Sequence, residues 1–205
     1  MSDDFPQPTR GGLTFDAEGQ EGGPFHSRHF HVPSSVSGLT IGRGYDMKLR
    51  SKTEIRDDLV EAGVDLAMAA LISQSAGMKG DDAEEFVAEN DLEDFEITVE
   101  QQLGLFDVEY ARQEADTRRL ATKADVTRAY GATDWEALDP TIKDVLVDLR
   151  FRGDYTPTTR RFLQRCVAAN DLAAFAAEIG NQANWPSVPQ DRFERRKALC
   201  DAALV

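Results

Sequence analysis

The chain is poor in the residues that mark several protein classes. Its two cysteines, Cys166 and Cys200, are too few for the disulfide framework of a small secreted scaffold, and they show neither CxxC nor Cys/His zinc spacing. They read as small buried or half-buried apolar residues, with a single bridge between them left open. No run of about 18 apolar residues is present to cross a bilayer as a helix. Basic residues are scarce, since 23 Lys and Arg against 37 Asp and Glu give a net charge of −14, which repels phosphate backbones and anionic lipid. Neither nucleic acid nor membrane insertion is expected. The acidic, Pro/Gly-rich opening MSDDFPQPTRGG lacks the apolar stretch of a secretory signal, so the expectation is synthesis as a cytosolic chain. A dinucleotide fingerprint is missing too, because Gly42-Arg-Gly44 is followed by Tyr-Asp-Met and by no phosphate-binding lysine.

What remains is a 205-residue chain, 41% hydrophobic, long enough for one full-sized domain or a domain with a small lobe. Its charge is uneven. Residues 1–50 hold five basic and six acidic side chains, 51–116 four and nineteen, and 117–205 fourteen and twelve, for nets of −1, −15 and +2. The acidity sits in the middle, where the tract Asp81 to Glu96 reads as a solvated face, and all three histidines (His26, His29, His31) lie in the first segment. An anionic ligand would be met by the outer segments.

The first twelve residues read as a disordered lead-in, and a single domain is expected over 13–205. From Leu13 to Asp46 the pattern is loop-rich and β-like, with Phe25, Phe30 and Val32 and then Leu39, Ile41 and Tyr45 alternating with polar residues or glycine. After Asp46 the chain reads as helical. Ser51-Lys-Thr-Glu54 and Thr98-Val-Glu-Gln101 are capping boxes, in which hydroxyl and N3 side chain satisfy reciprocal free amides. The first opens a helix ending at Gly63; a second helix spans about Asp65 to Ala76, closed by Gly77. Asp139-Pro140 is an N-cap with proline at the first helical position, followed by the stripe Ile142, Val145, Leu146, Leu149 of a core helix. Further helices are expected over Thr158 to Ala169, Asp171 to Ile179 and Gln190 to Ala203. The fold class is α+β, a small β-hairpin or sheet N-terminal lobe packed on a mostly helical body.

Functional residue types are densest before the helices: Glu18, Glu21, the run His26-Ser-Arg-His-Phe-His31, and Ser37-Gly-Leu-Thr-Ile-Gly-Arg-Gly-Tyr-Asp46. Gly42 and Gly44, alternating through a strand, would leave one face bare and suit the floor of a cleft. Glu18-Gly19 followed by Thr40-Ile-Gly-Arg-Gly44 resembles the phage-type lysozymes, and Asp16-Ala-Glu-Gly19, Phe25-His-Ser-Arg28 and Ser37 to Asp46 are closer still to the pesticin-like branch of muramidases. Ile97 to Phe106 resembles that family's long interlobe helix, Leu138 to Gly153 its central buried helix, and Asn184-Trp185 its late tryptophan-containing turn.

The resemblance implies a lysozyme-like fold and cleavage of the β-1,4 bond between N-acetylmuramic acid and N-acetylglucosamine. Such hydrolysis uses one carboxyl group to protonate the leaving oxygen and another to activate water or stabilise the developing cation. By resemblance Glu18 is the acid, Asp46 the second carboxylate and Thr40 the residue that positions water. Glu21 also precedes glycine and competes with Glu18; Asp46 also suits the end of a strand, and Thr40 is a good strand former in its own right. Pro24 to Leu39 contains no acidic residue, which leaves Asp46 as the second carboxylate of this segment. Arg43, Tyr45, His31 and Arg152 are candidate substrate contacts; Arg150 and Arg152 suit stem-peptide carboxylates, although arginines at a helix C-terminus are favourable without any ligand. Three histidines within six residues raise a metal through His29-x-His31, but hydrogen-bonded structural roles are the expectation, and neither metal nor cofactor is implied.

The implied protein is a bacteriolytic toxin or effector, or an endolysin, reaching the wall by phage release or a secretion machine. Its partners would be glycan strands and a cognate immunity or inhibitor protein, and it would act as a monomer. Two other classes stay open: an inactive glycan-binding or phage structural module, and a chitinase or chitosanase on the same fold.

Overall fold

A computed structural model describes residues 5–23 and 26–205; Phe25, one of the residues in the expected β-like run, lies outside them. The architecture is α+β, helix-rich with a two-stranded antiparallel sheet. The chain divides into two compact units, one of Glu18–Glu109 with the segment ending at Thr9, the other of Arg10–Ala17 and Tyr110–Val205.

The first unit is organised on a hairpin, β1 (Thr40–Ile41) and β2 (Tyr45–Asp46), in which Thr40 pairs with Asp46 and Ile41 with Tyr45. Helix α2 (Lys52–Glu61) starts at the Ser51 capping box, with both reciprocal bonds to Glu54 formed. It ends at Gly63, whose φ of +92° only glycine adopts without strain. Helix α3 (Leu66–Ile72) is capped by the Asp65 carboxylate and runs into a 3-10 turn, Ser73–Ser75. Helix α4 (Asp81–Glu89) lies inside the acidic tract and buries Ala83 and Phe86. The second capping box is also formed, Gln101 Oε1 accepting from Thr98 N and Thr98 Oγ1 from Gln101 N, and opens α5 (Val99–Thr122). Leu39, Ile41, Tyr45, Met47, Ile55, Leu59, Ile72, Phe86, Ile97 and Leu105 form this unit's core.

The second unit holds α1 (Gly12–Ala17), the rest of α5, α6 (Ala124–Tyr130), α7 (Pro140–Arg152), α8 (Arg160–Ala169), α9 (Leu172–Ile179) and α10 (Gln190–Ala203). The Asp139 carboxylate caps α7 at the amides of Thr141 and Ile142, and the helix stops at Gly153 in the left-handed region. Ile142, Val145, Leu146 and Leu149 are fully buried, as their spacing requires. Inside the same helix Asp148 is fully buried and accepts from Arg192 Nη2 at 2.6 Å and Arg196 Nε at 2.6 Å. Buried carboxylate and arginines satisfy one another, which is the condition for holding charge in a core.

Several expectations change. Leu13 to Ala17 is helical, not β-like, because Phe15 is buried as α1 packs on α7 and α10; six residues are too short for periodicity to reveal this. Order also starts before Leu13, since Gly11 O accepts from Phe15 N at 2.9 Å and Arg10 pairs with Glu114 at 2.5 Å. Cys166 and Cys200 are separate free thiols, and burial pushes Cys200 up to about 12. The sheet is smaller than the alternation suggests, with isolated bridges at His31–Thr40, His29–Glu96 and Gln20–His26 beside the short hairpin.

Candidate functional site

Glu18 is half-buried, directly after the last residue of α1, and begins the longer segment of the first unit. The chain beyond it is tied to the hairpin through two residues. Ser27 Oγ accepts from Gln20 N at 2.8 Å, Ser27 N donates to Gln20 O at 3.0 Å, and Ser27 O accepts from Gly42 N at 2.7 Å. Arg43, at the hairpin turn, donates to the carbonyl of Gly19. This close approach is why residue 19 is glycine: a Cβ there would sit 2.1 Å from Ser27 Oγ and 2.8 Å from Arg43 Cδ. The two halves of the motif, Glu18-Gly19 and Thr40 to Asp46, therefore belong to one hydrogen-bonded body.

Gly42 and Gly44 do not floor a cleft. The strands are two residues long, and these glycines form the turn between them with φ of +64° and +83°. A Cβ on Gly42 would lie 3.6 Å from Ile97 Cδ1 and 3.7 Å from Leu105 Cδ2, so that side is packed against α5. Thr40 and Asp46 do meet as cross-strand partners. The Thr40 hydroxyl is buried and donates to Gly38 O at 3.2 Å, while Asp46 accepts from Gly38 N at 3.2 Å and Lys48 N at 2.7 Å. Asp46 thus terminates the hairpin as well as lying beside Thr40.

The candidate substrate contacts separate. Tyr45 is 1% exposed, donates to Asp58 Oδ2 at 2.6 Å and lies under the Arg50 guanidinium, which leaves no ring face for a sugar. Arg43 is buried between Gly19 and Glu21 and holds the loop rather than meeting solvent. Arg152 belongs to the other unit, where it donates to Asp154 Oδ1 at 2.6 Å and Ser187 O at 2.6 Å; Arg150 binds Asp116. His31 is exposed beside Thr40, to which its backbone is paired. Trp185 is a core residue whose indole donates to Glu178 O at 3.1 Å.

Glu21 is the centre of a network that the sequence did not reveal. Its carboxylate accepts from Gln102 Nε2 at 2.7 Å, Arg28 Nε at 3.0 Å and Arg43 Nη2 at 3.2 Å. Burial pushes its pKa up, but the hydrogen bonds from Gln102, Arg28 and Arg43 outweigh this and hold it below the usual range. A carboxyl held as the anion by three donors is suited to bracing the loop through its ion pairs. Arg28 also pairs with Glu96, and Glu96 faces His26 and His29; these three side chains place one ligand atom each within 4.8 Å of one another. The pairing is His26 with His29, not the His29-x-His31 suggested by spacing, and the third member comes from about 70 residues away. The only local signal was two histidines three apart.

Residues 11–197 match the model of a family described as a domain of unknown function, DUF8812, and the chain belongs to that family. No curated protein matches it.

Proposed function

We propose that this DUF8812 member is a peptidoglycan hydrolase, an N-acetylmuramidase of lysozyme-like fold that cleaves the β-1,4 bond between N-acetylmuramic acid and N-acetylglucosamine. The observation that carries the reading is the joining of Glu18-Gly19 to the Thr40–Asp46 hairpin through Ser27 and Arg43. It brings together the two sequence elements on which the resemblance to phage-type, pesticin-like muramidases rests. Glu18 hands a proton to the leaving glycosidic oxygen; Asp46, its oxygens fixed by two backbone amides, stabilises the developing positive charge. Thr40, whose hydroxyl donates to Gly38 O and keeps its lone pairs to accept, positions the attacking water. Glu21 stays anionic and braces the loop. Such an enzyme serves as a bacteriolytic toxin, effector or endolysin, with glycan strands as substrate and an immunity or inhibitor protein as its natural control.

The test is incubation of purified sacculi with wild type and with Glu18→Gln, following turbidity and the masses of released muropeptides. Hydrolysis gives reducing-end muropeptides, and Glu18→Gln lowers the rate by at least about 100-fold, the usual scale for losing a general acid. Undiminished release by the variant removes Glu18 from the role. Folded wild type that sediments with sacculi but releases nothing favours a glycan-holding module instead, a reading encouraged by the engagement of Thr40 and Asp46 with backbone groups. Cleavage of chitin oligosaccharides in preference to sacculi moves the substrate to chitin.

A further inference from the structure

We propose that His26, His29 and Glu96 form a binding site for one divalent metal ion of the zinc class, independent of whether the protein cuts cell wall. One ligand atom from each lies within 4.8 Å of the others. Ligands around a tetrahedral zinc stand about 3.3 Å apart at bond lengths of about 2.0–2.1 Å. His29 Nε2 stands 3.7 Å from Glu96 Oε2, and His26 Nε2 stands 3.1 Å from the other oxygen of the same carboxylate, so small side-chain movements bring all three residues to an ion on Oε2. Two imidazoles and one carboxylate select zinc, copper or nickel over magnesium or calcium, and three protein ligands leave a fourth position for water. The side chains of His29 and Glu96 are 38% and 39% exposed, which supplies an entry path.

The surrounding hydrogen bonds point the same way. His29 Nδ1 lies 3.1 Å from Phe95 O, which can only accept, so Nδ1 carries the proton of the neutral ring. In that neutral tautomer the Nε2 lone pair faces Glu96 Oε2, 3.7 Å away, a pair of acceptors that one cation bridges. An outer hydrogen bond from one ring nitrogen to a backbone carbonyl is also how metal-binding histidines are oriented. Arg28 engages Glu96 through Oε1, leaving Oε2 for the ion. His26 is the member that must change: Nδ1 now accepts from Gly22 N at 2.7 Å, so its neutral ring carries the proton on Nε2. On metal binding that proton leaves Nε2 for solvent and Nδ1 takes one up, facing Glu21 Oε2, now 3.6 Å away. Gly22 is exposed, with no atom within 4 Å of its Cβ direction, and can release its amide. The ion would cross-link the segment ahead of the hairpin to the residues that precede α5.

The experiment is titration of the full chain with ZnCl2 by calorimetry and with CoCl2 by visible absorption, both in a non-coordinating buffer. One equivalent of zinc is expected to bind, and cobalt to give the intense bands of a four- or five-coordinate site. His29→Ala and Glu96→Gln, checked for fold by circular dichroism, are expected to weaken zinc by at least about tenfold, while His31→Ala binds as wild type does. The proposal is overturned by no saturable binding to wild type, by binding that survives His29→Ala and Glu96→Gln, or by equal loss in His31→Ala. The cobalt spectrum of wild type tests the site without any variant.

Discussion

Glu21 and Glu18 stand three residues apart, and each precedes a glycine, yet only their surroundings separate them. Glu21 is surrounded by donors from Arg28, Arg43 and Gln102, which favour its anion, and this has a consequence for stability against pH. A carboxyl whose folded pKa lies below its unfolded value near 4.5 stabilises the fold above that value. The contribution is lost as pH falls through the lowered folded pKa. Urea unfolding of wild type and Glu21→Gln should therefore differ by a constant amount from pH 7 down to about 4.5, and the gap should shrink below that. A gap independent of pH down to about 2 would mean that Glu21 does not act through its charge. Glycine shows the same dependence on surroundings. Gly19 is required by a neighbouring side chain, Gly42 by its φ of +64°, and only the packed structure distinguishes the two reasons.

At the scale of the element, start signals are short and local, which is why they are read correctly. Ser51 with Glu54, Thr98 with Gln101, and Asp139 before Pro140 all cap the helices their spacing announces, because a cap needs only residues within one turn. Ser51→Ala should cost about 1 kcal/mol in urea unfolding, and an unchanged midpoint would show that the box carries no energy in this exposed position. The hairpin is the opposite case. Its alternation reads as longer strands, but the turn glycines stop them after two residues each, and Tyr45 turns to Asp58 and Arg50 rather than to solvent. Strand faces are assigned by what packs on them, here Ile97 and Leu105 of a distant segment.

For the whole molecule, the acidity falls on the same side of the division as every candidate residue except Arg152. Glu18–Glu109 carries 7 basic and 20 acidic side chains, a net of −13, whereas Arg10–Ala17 with Tyr110–Val205 carries 16 and 15, a net of +1. Excess charge of one sign opposes compaction and is screened by salt. Both tryptophans, Trp135 and Trp185, are buried in the second unit, so their fluorescence reports that unit while circular dichroism reports both. Raising salt from about 20 to 500 mM should lift the dichroism midpoint more than the fluorescence midpoint, and equal shifts would contradict the charge argument. Composition, helix starts, the α7 stripe and the α+β class followed from the sequence alone, since each depends on neighbours along the chain or on totals. The anchoring of Gly19 by Arg43, the bonds from Gln102 and Arg43 that lower the Glu21 pKa and the meeting of His26 and His29 with Glu96 were decided only by tertiary structure. Each joins residues about 20 to 80 positions apart, and no local pattern carries the distance between them.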